Sequence, residues 1–387
     1  ALASTNKEAE EFFYSEGMAD RDPKLVDSFD PTAKVLTSTI DILCQATMCN
    51  DPAQESEVRK SYETLYADPT MRPMLDLAAA ALNRVDRRAF FAKFEQHHAV
   101  QYFYEPFLQA FDPELRKDLG VWYTPAPVVN FIVRAVDDIL KTEFDLPQGL
   151  ADTSKTKIKV DMQGKKVEQE VHKVQILDPA TGTGTFLAEV IKHVHTKFKG
   201  QQGIWSNYVE THLLPRLNGF ELLMASYAMA HLKLDLLLTE TGYKPTKDQR
   251  FRVYLTNSLE EYHPDTGTLF ANWLSSEANE ANHIKRDTPV MCIIGNPPYS
   301  GLSANQGNWI KDLIEDYKYV DGEHFGERKH WLNDDYVKFI RYGQHYIEKN
   351  GSGILAFINP HGFLDNPTFR GMRWNLLKAF DKIYTLD

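Results

Sequence analysis

A short apolar run, Val290-Met291-Cys292-Ile293-Ile294, leads directly into Gly295-Asn296-Pro297-Pro298-Tyr299. A run this short, β-branched and closed by Gly and Pro, reads as a buried parallel strand and not as a helix. The residues after Gly295 then stand at the strand's carboxyl end, where open α/β sheets place their ligands. Asn296 carries a side-chain carbonyl that accepts hydrogen bonds. Pro297 has no N–H, so its peptide group offers only a carbonyl. The two prolines stiffen the turn and hold both acceptors, and Tyr299 adds a flat ring beside them. Two acceptors next to a stacking platform suit a planar –NH₂ group on a conjugated ring or an amide. Accepting both N–H bonds favours the pyramidal nitrogen that forms as its lone pair attacks an electrophile. The plainer reading is a proline-stiffened strand-to-loop turn.

Other strands of the same kind alternate with helical segments. Val174–Asp178 is a strand, Pro179-Ala180-Thr181-Gly182-Thr183-Gly184-Thr185 a glycine turn, and Phe186–Lys199 an amphipathic helix. Glycines let the backbone turn sharply and approach a ligand. A second strand, Leu217–Glu221, ends in an acid, as strands that hold a ribose do. Helix Met224–Thr239 follows. Then come a third strand, Arg250–Thr256, with Asn257-Ser258-Leu259 as its terminal loop, and the opening strand as the fourth. A fifth, Gly353–Ile358, ends Asn359-Pro360-His361-Gly362, and Lys382–Leu386 reads as a sixth. This alternation predicts an α/β fold with a doubly wound, mostly parallel sheet. Lys157–Asp161 and Lys166–Val171, around Gln163-Gly164, fit a β-hairpin excursion. Upstream, Thr124 stands where an N-cap belongs and Pro125 at the first position of a helix over Ala126–Lys141; an anion site at that helix N-terminus is the alternative.

Residues 1–100 are rich in Ala, Glu, Lys, Arg and Leu. Helices are plausible over Lys7–Glu16, Thr32–Met48, Ala53–Tyr66 and Met71–Ala92, forming an all-helical coupling or packing domain ahead of residues 101–387. Glu57-Val58-Arg59-Lys60 reads as a charged helix face and His97-His98 as a surface pair. Three cysteines form no metal-ligand pattern and fit a reducing cytoplasm. No run of apolar residues is long enough for a membrane span. The net charge of −11 argues against holding nucleic acid by bulk charge, leaving room for a local basic groove or a separate basic domain. No Gly-x-x-x-x-Gly-Lys-Ser/Thr stretch is present, so no P-loop nucleotide hydrolysis is expected.

The glycine turn does not fit a dehydrogenase. Its third glycine would fall at Leu187, and the acid, Glu221, lies further on than that fingerprint places it. Hydride transfer also has no use for Asn-Pro-Pro-Tyr, whereas a methyl donor with an electrophilic carbon does. The order Tyr123-Thr124-Pro125, Asp178-Pro179-Ala180-Thr181-Gly182-Thr183-Gly184 and Asn296-Pro297-Pro298-Tyr299 resembles the gamma-class DNA adenine-N6 methyltransferases over roughly residues 101–387. Phe103-Tyr104-Glu105-Pro106-Phe107, Asn296–Gly301, Asp335-Tyr336-Val337-Lys338-Phe339-Ile340-Arg341 and Gly371-Met372-Arg373 resemble the type ISP restriction–modification enzymes within that class.

The resemblance implies S-adenosyl-L-methionine as cofactor and double-stranded DNA as partner. Asp178, Thr181, Gly182 and Gly184 would shape the cofactor pocket and Thr124 would reach the methionine carboxylate. Glu221 would take the ribose hydroxyls, and Asn257 would face the cofactor's adenine. Asn296 and Pro297 would accept from the target N6, and Tyr299 would stack on the flipped base. No metal is implied. It further implies a covalently linked nuclease, helicase-like translocase and target-recognition domain outside residues 1–387, with a missing antiparallel strand and a second base-stacking aromatic beyond Asp387. Rival readings are a protein glutamine-N5 methyltransferase, since an amide nitrogen poses the same problem, a cofactor-binding regulatory or scaffold segment of a DNA-translocating machine, and a dinucleotide oxidoreductase.

Overall fold

The computed structural model describes Pro73 and residues 124–387, apart from 163–164, 248, 263–271, 300–302, 304, 327–329 and 387. Apart from helical Pro73, the helices expected over residues 1–100 and the aromatic stretch at Tyr102–Phe111 lie outside the described residues. Backbone contacts divide the chain into one unit of residues 1–113 with 224–229 and another of residues 114–223 with 230–387. The sheet and the site belong to the second.

Helix α1 (Ala126–Glu143) buries Val129, Val133, Val136 and Leu140, a stripe at helical spacing. Its start corrects the expected cap. Pro125 is the N-cap residue, and its carbonyl receives the amides of Val128 and Val129 at 3.0 and 3.2 Å. Thr124 is one residue too early to cap, so its hydroxyl is left for another partner. Buried Asp137 on α1 receives the Leu150 amide at 2.7 Å and pairs with Lys141 and Lys197, both at 2.6 Å. Together with His193, 3.1 Å away, those partners outweigh the penalty of burying the acid and hold its pKa well below the usual carboxylate range.

The expected hairpin forms from β1 (Lys155–Met162) and β2 (Lys165–His172), paired antiparallel. The main sheet follows: β3 (Ile176–Asp178), β4 (Leu217–Glu221), β5 (Arg252–Leu255), β6 (Cys292–Gly295) and β9 (Ile354–Phe357), in the order β5-β4-β3-β6-β9 and parallel throughout. Between them run α2 (Thr185–Thr196), α3 (Gln202–Tyr208), α4 (Met224–Glu240), α5 (Asn272–Asp287), α6 (Asn308–Glu315), a small hairpin of β7 (Tyr319–Val320) and β8 (Glu323–His324), and α7 (Asp335–Asn350); α8 (Arg370–Ala379) closes the series. On one face Leu177, Phe220, Tyr254 and Ile293 pack with Ala281 and Ile284 of α5 and Phe339, Tyr342 and Tyr346 of α7. On the other face Gly219 of β4 leaves room for Leu187 of α2, whose Cδ1 would stand 3.0 Å from any added Cβ. Helices thus cover both faces of a parallel sheet, as the doubly wound reading requires.

One expected strand is absent. Residues 382–386 are exposed and pair with nothing in the sheet; Ile383, Tyr384 and Leu386 are 49%, 71% and 76% exposed. β-propensity describes fit to a half-buried pleated surface, and this segment meets none. It is tethered instead by Lys382, whose Nζ lies 2.6 Å from Oε2 of Glu143 on α1. Among the described residues, no helix is long and apolar enough to cross a membrane.

Candidate active site

Because the strands are parallel, their carboxyl ends share one edge, and the glycine turn, Glu221, Asn257 and Asn296 stand along it. In the glycine turn Gly182 and Gly184 have φ of 54° and 78°, backbone that only glycine adopts at low cost. The Thr181 amide donates to the Phe220 carbonyl at 3.0 Å, and its hydroxyl donates to the Asp178 carbonyl at 3.0 Å. The turn is therefore sewn to the neighbouring strand before any ligand arrives.

Asp178 is fully buried. Its Oδ1 accepts from the Ala180 amide at 3.1 Å, while Oδ2 has no partner. Burial, with the Glu221 carboxylate adding to it, pushes the Asp178 pKa up to about 8. Glu221 accepts the Leu222 and Leu223 amides at 3.0 and 2.8 Å on Oε1 and the Gly182 amide at 2.7 Å on Oε2, and burial raises its pKa as well. A carboxylate offers about four lone-pair directions, so with three filled, room remains for one further donor. That is less than the two ribose hydroxyls expected of it unless a backbone N–H is shared.

On the β6 side, Asn296 Nδ2 donates to the hydroxyl of Thr124 at 3.0 Å, bringing together residues far apart in the chain. The same side chain leaves Oδ1 buried and without a partner. Buried acceptors are ordinarily paired, so an orphan at a sheet's carboxyl edge marks a place for a donor from outside. Pro297, next in the chain, is buried. Tyr299 is half-buried, and its ring packs against the cluster that includes Tyr336, Phe369 and Met372. Gly295 completes the junction: a Cβ there would stand 2.8 Å from Asp178 Oδ1, so only glycine lets the acid of β3 come so close to the turn of β6.

Asn257, at the end of β5, has its side chain engaged by neighbouring loops. Its Nδ2 donates to Asn305 Oδ1 at 2.9 Å and Glu260 Oε1 at 3.2 Å, and its Oδ1 accepts the Leu259 amide at 3.0 Å. Both amide hydrogens are committed, so in this arrangement it holds loops together and has no donor left for a purine. Asn305 in turn donates to Asp335 Oδ1 at 3.0 Å. Sequence reasoning passed over this network, and also Leu222, which is 58% exposed directly after Glu221. An apolar residue following a strand-ending acid was the available signal, since an exposed leucine there offers a flat apolar contact to a ligand held by that acid.

The chain matches the model of the N-6 DNA methylase family over residues 95–372. No curated protein matches it. Among solved structures it resembles one described as the DrdV–DNA complex (24% identity, TM-score 0.59, covering 91% of this chain and 31% of that one). It also resembles the ATP-dependent type ISP restriction–modification enzyme LlaBIII bound to DNA (21%, TM-score 0.61, covering 91% and 23%). A third is a nuclease-deletion mutant of the type ISP enzyme LlaGI in complex with a DNA substrate mimic (20%, TM-score 0.60, covering 92% and 34%). At these identities the likeness is one of fold, and the chain spans about a third of the length of each or less. With a family match across most of the sequence, over a parallel sheet whose carboxyl edge carries the glycine turn and the Asn-Pro-Pro-Tyr turn, the chain belongs to the N-6 DNA methylase family.

Proposed function

We propose that this chain transfers the methyl group of S-adenosyl-L-methionine to the N6 amine of an adenine flipped out of double-stranded DNA. The observation that carries the reading is the Asn296 amide: Nδ2 fixed on Thr124, Oδ1 buried and unpaired at the end of β6. An amine nitrogen is the donor that site lacks.

The residues present fit the cofactor. The orphan Oδ2 of Asp178, the open direction on Glu221 and the exposed Leu222 line the β3–β4 half of the edge. In the proposed arrangement the bound cofactor supplies an electrophilic methyl carbon. Asp178, Thr181, Gly182 and Gly184 shape its pocket, Glu221 accepts from its ribose, and Thr124, besides steadying Asn296, lies toward its carboxylate. Asn257 acts through the loops it holds. Asn296 Oδ1 and the Pro297 carbonyl accept the two N6 hydrogens, drawing the amine toward the pyramidal geometry in which its lone pair points at the methyl. Tyr299 stacks on the base from its packed position. In this arrangement catalysis rests on orientation and on acceptors set before the reaction.

The type ISP likeness extends the proposal: residues 1–100 serve as a helical coupler, residues 101–387 as the methyltransferase, and nuclease, helicase-like translocase and target-recognition domains are joined to them in one cytoplasmic polypeptide. The test uses the polypeptide that carries this chain. Labelled methyl should appear in DNA as N6-methyladenine, and Asn296→Ala should slow transfer by roughly 10²–10³ while leaving cofactor binding within about threefold, the scale of losing one preorganised polar group. Methyl transfer by Asn296→Ala at the wild-type rate would refute the assigned chemistry.

A further inference from the structure

The dipeptide Asn-Pro ends two neighbouring strands of this sheet: Asn296-Pro297 after β6 and Asn359-Pro360 just past β9. Gly295 pairs with Phe357, and the Ile358 amide donates to the Gly295 carbonyl at 3.1 Å, so the two turns leave the sheet side by side. Like Asn296, Asn359 keeps its Oδ1 buried without a hydrogen-bond partner. A buried, unpaired amide end is costly, about 1–3 kcal/mol by mutational measures, and calls for a ligand or a reason. Nothing in the reading above uses it.

Strand order says which ligand it faces. The residues suited to the cofactor belong to β3 and β4, on one side of β6. β9 lies on the other side, so Asn359 stands beyond Asn296 as seen from the cofactor, where the acceptor of the methyl group must be.

We propose that Asn359 reads the target base, donating from its amide to the ring nitrogen of adenine beside the amino group, N1 or N7. This rests on the reading of the site as an adenine methyltransferase. Hydrogen-bond stoichiometry sets the polarity. Asn296 and Pro297 take both N6 hydrogens, so what the base still offers next to its amine is an acceptor. A half-turn about χ2, a broad two-fold torsion, exchanges the two ends of the Asn359 amide and brings Nδ2 to the inward position. An asparagine amide is also the side chain that matches an adenine edge in duplex readout. Asn359 is thereby a specificity residue: it distinguishes a base with a ring acceptor beside an amine from one without.

The test pairs protein and base changes, using the intact polypeptide and a duplex carrying its own methylation site, mapped by sequencing the DNA it modifies. Wild type and Asn359→Asp, a near-isosteric variant without the donor, are compared on adenine, 1-deazaadenine and 7-deazaadenine at the target position. Cofactor affinity should be unchanged in Asn359→Asp. Transfer to adenine should fall at least about fivefold, the scale of one hydrogen bond. One of the two deaza bases should cost the wild type a similar factor and cost Asn359→Asp nothing further. Equal losses for both proteins on both analogues would overturn the proposal. So would full activity of Asn359→Asp on adenine. Failure of the wild type to methylate adenine at all would instead strike the underlying reading.

Discussion

Replacing Asp178 with Asn should make the free protein more stable and weaken its hold on the cofactor. The carboxyl is fully buried with Oδ2 unpaired, and burial together with Glu221 pushes its pKa up to about 8 from an ordinary 3.8. At pH 7 the unfolded chain ionises this group freely while the folded chain must keep it protonated. At about 1.4 kcal/mol per pH unit across that interval, the penalty is on the order of 4 kcal/mol. Asparagine has the same shape, stays neutral at every pH, and still accepts from the Ala180 amide. Its NH₂ meets the same lack of a partner as the neutral acid's O–H, with one more N–H left unpaired, which trims the gain. The sign follows from proton counting. Between about pH 4 and 8 the folded state binds the extra proton, so wild-type stability falls as pH rises through that window and levels off above it. Denaturant unfolding of both proteins at pH 4.5, 7 and 8.5 should therefore show Asp178→Asn ahead by roughly 2–4 kcal/mol at pH 7, further ahead at 8.5, and close to wild type at 4.5. Calorimetry on the same samples should show cofactor affinity reduced at least about tenfold, as for a lost bond to a charged group. A variant less stable than wild type at pH 7, with a gap that ignores pH, would refute the reasoning.

The same raised pKa predicts that a cationic cofactor displaces a proton when it binds; affinity should strengthen by up to about tenfold per pH unit between pH 6 and 8, and titration in two buffers of different ionisation enthalpy should detect the release. Leu222→Ala should weaken cofactor binding by about 1–2 kcal/mol, the worth of partly covering one leucine, with the rate at saturating cofactor unchanged, read as a KM effect in steady-state kinetics. Gly295→Ala places a methyl 2.8 Å from Asp178 Oδ1; either the acid or the Asn296 turn must shift, so both cofactor affinity and transfer rate should fall, unlike Asn296→Ala, which should spare affinity.

What could be read from sequence was local. β4 runs from Leu217 to Glu221 as expected, and the Asn-Pro-Pro-Tyr turn sits at the end of β6. Short β-branched runs closed by Gly, Pro or an acid carry their own boundaries. The cap of α1 was misplaced by one residue because a Thr-Pro pair satisfies the capping pattern at either position; what decides is that Asn296, 172 residues away, takes the Thr124 hydroxyl. Residues 382–386 have the composition of a strand, but a strand exists only where an edge receives it, and pairing is not written in the segment itself. The loop partner of Asn257 was hidden for the same reason: Asn305 lies 48 residues on, in a loop with no motif to point to it.

That partnership explains why a lysine is buried at the start of α7. Lys338 is 1% exposed, and its Nζ donates to Ser303 Oγ at 2.7 Å and to the Asn305 carbonyl. Asp335, one turn earlier, accepts from the Ser303 hydroxyl and from Asn305 Nδ2. The two charges grip Ser303 and Asn305, beyond the Asn-Pro-Pro-Tyr turn, and Asn305 passes the hold to Asn257 at the end of β5. An apolar residue at 338 would pack, but would leave the Asn305 carbonyl short of its strong donor, the Ser303 hydroxyl still receiving the Asn305 amide, and that loss is costly when buried. Loops at a sheet edge have little core to rest on, so their geometry must come from polar contacts. A reaction whose rate depends on two acceptors held within a fraction of an ångström needs such loops rigid before substrate arrives. The polar groups along this edge therefore divide into those with an unfilled hydrogen bond, Asp178, Asn296 and Asn359, and those whose donors tie the loops together, Asn257 and Lys338.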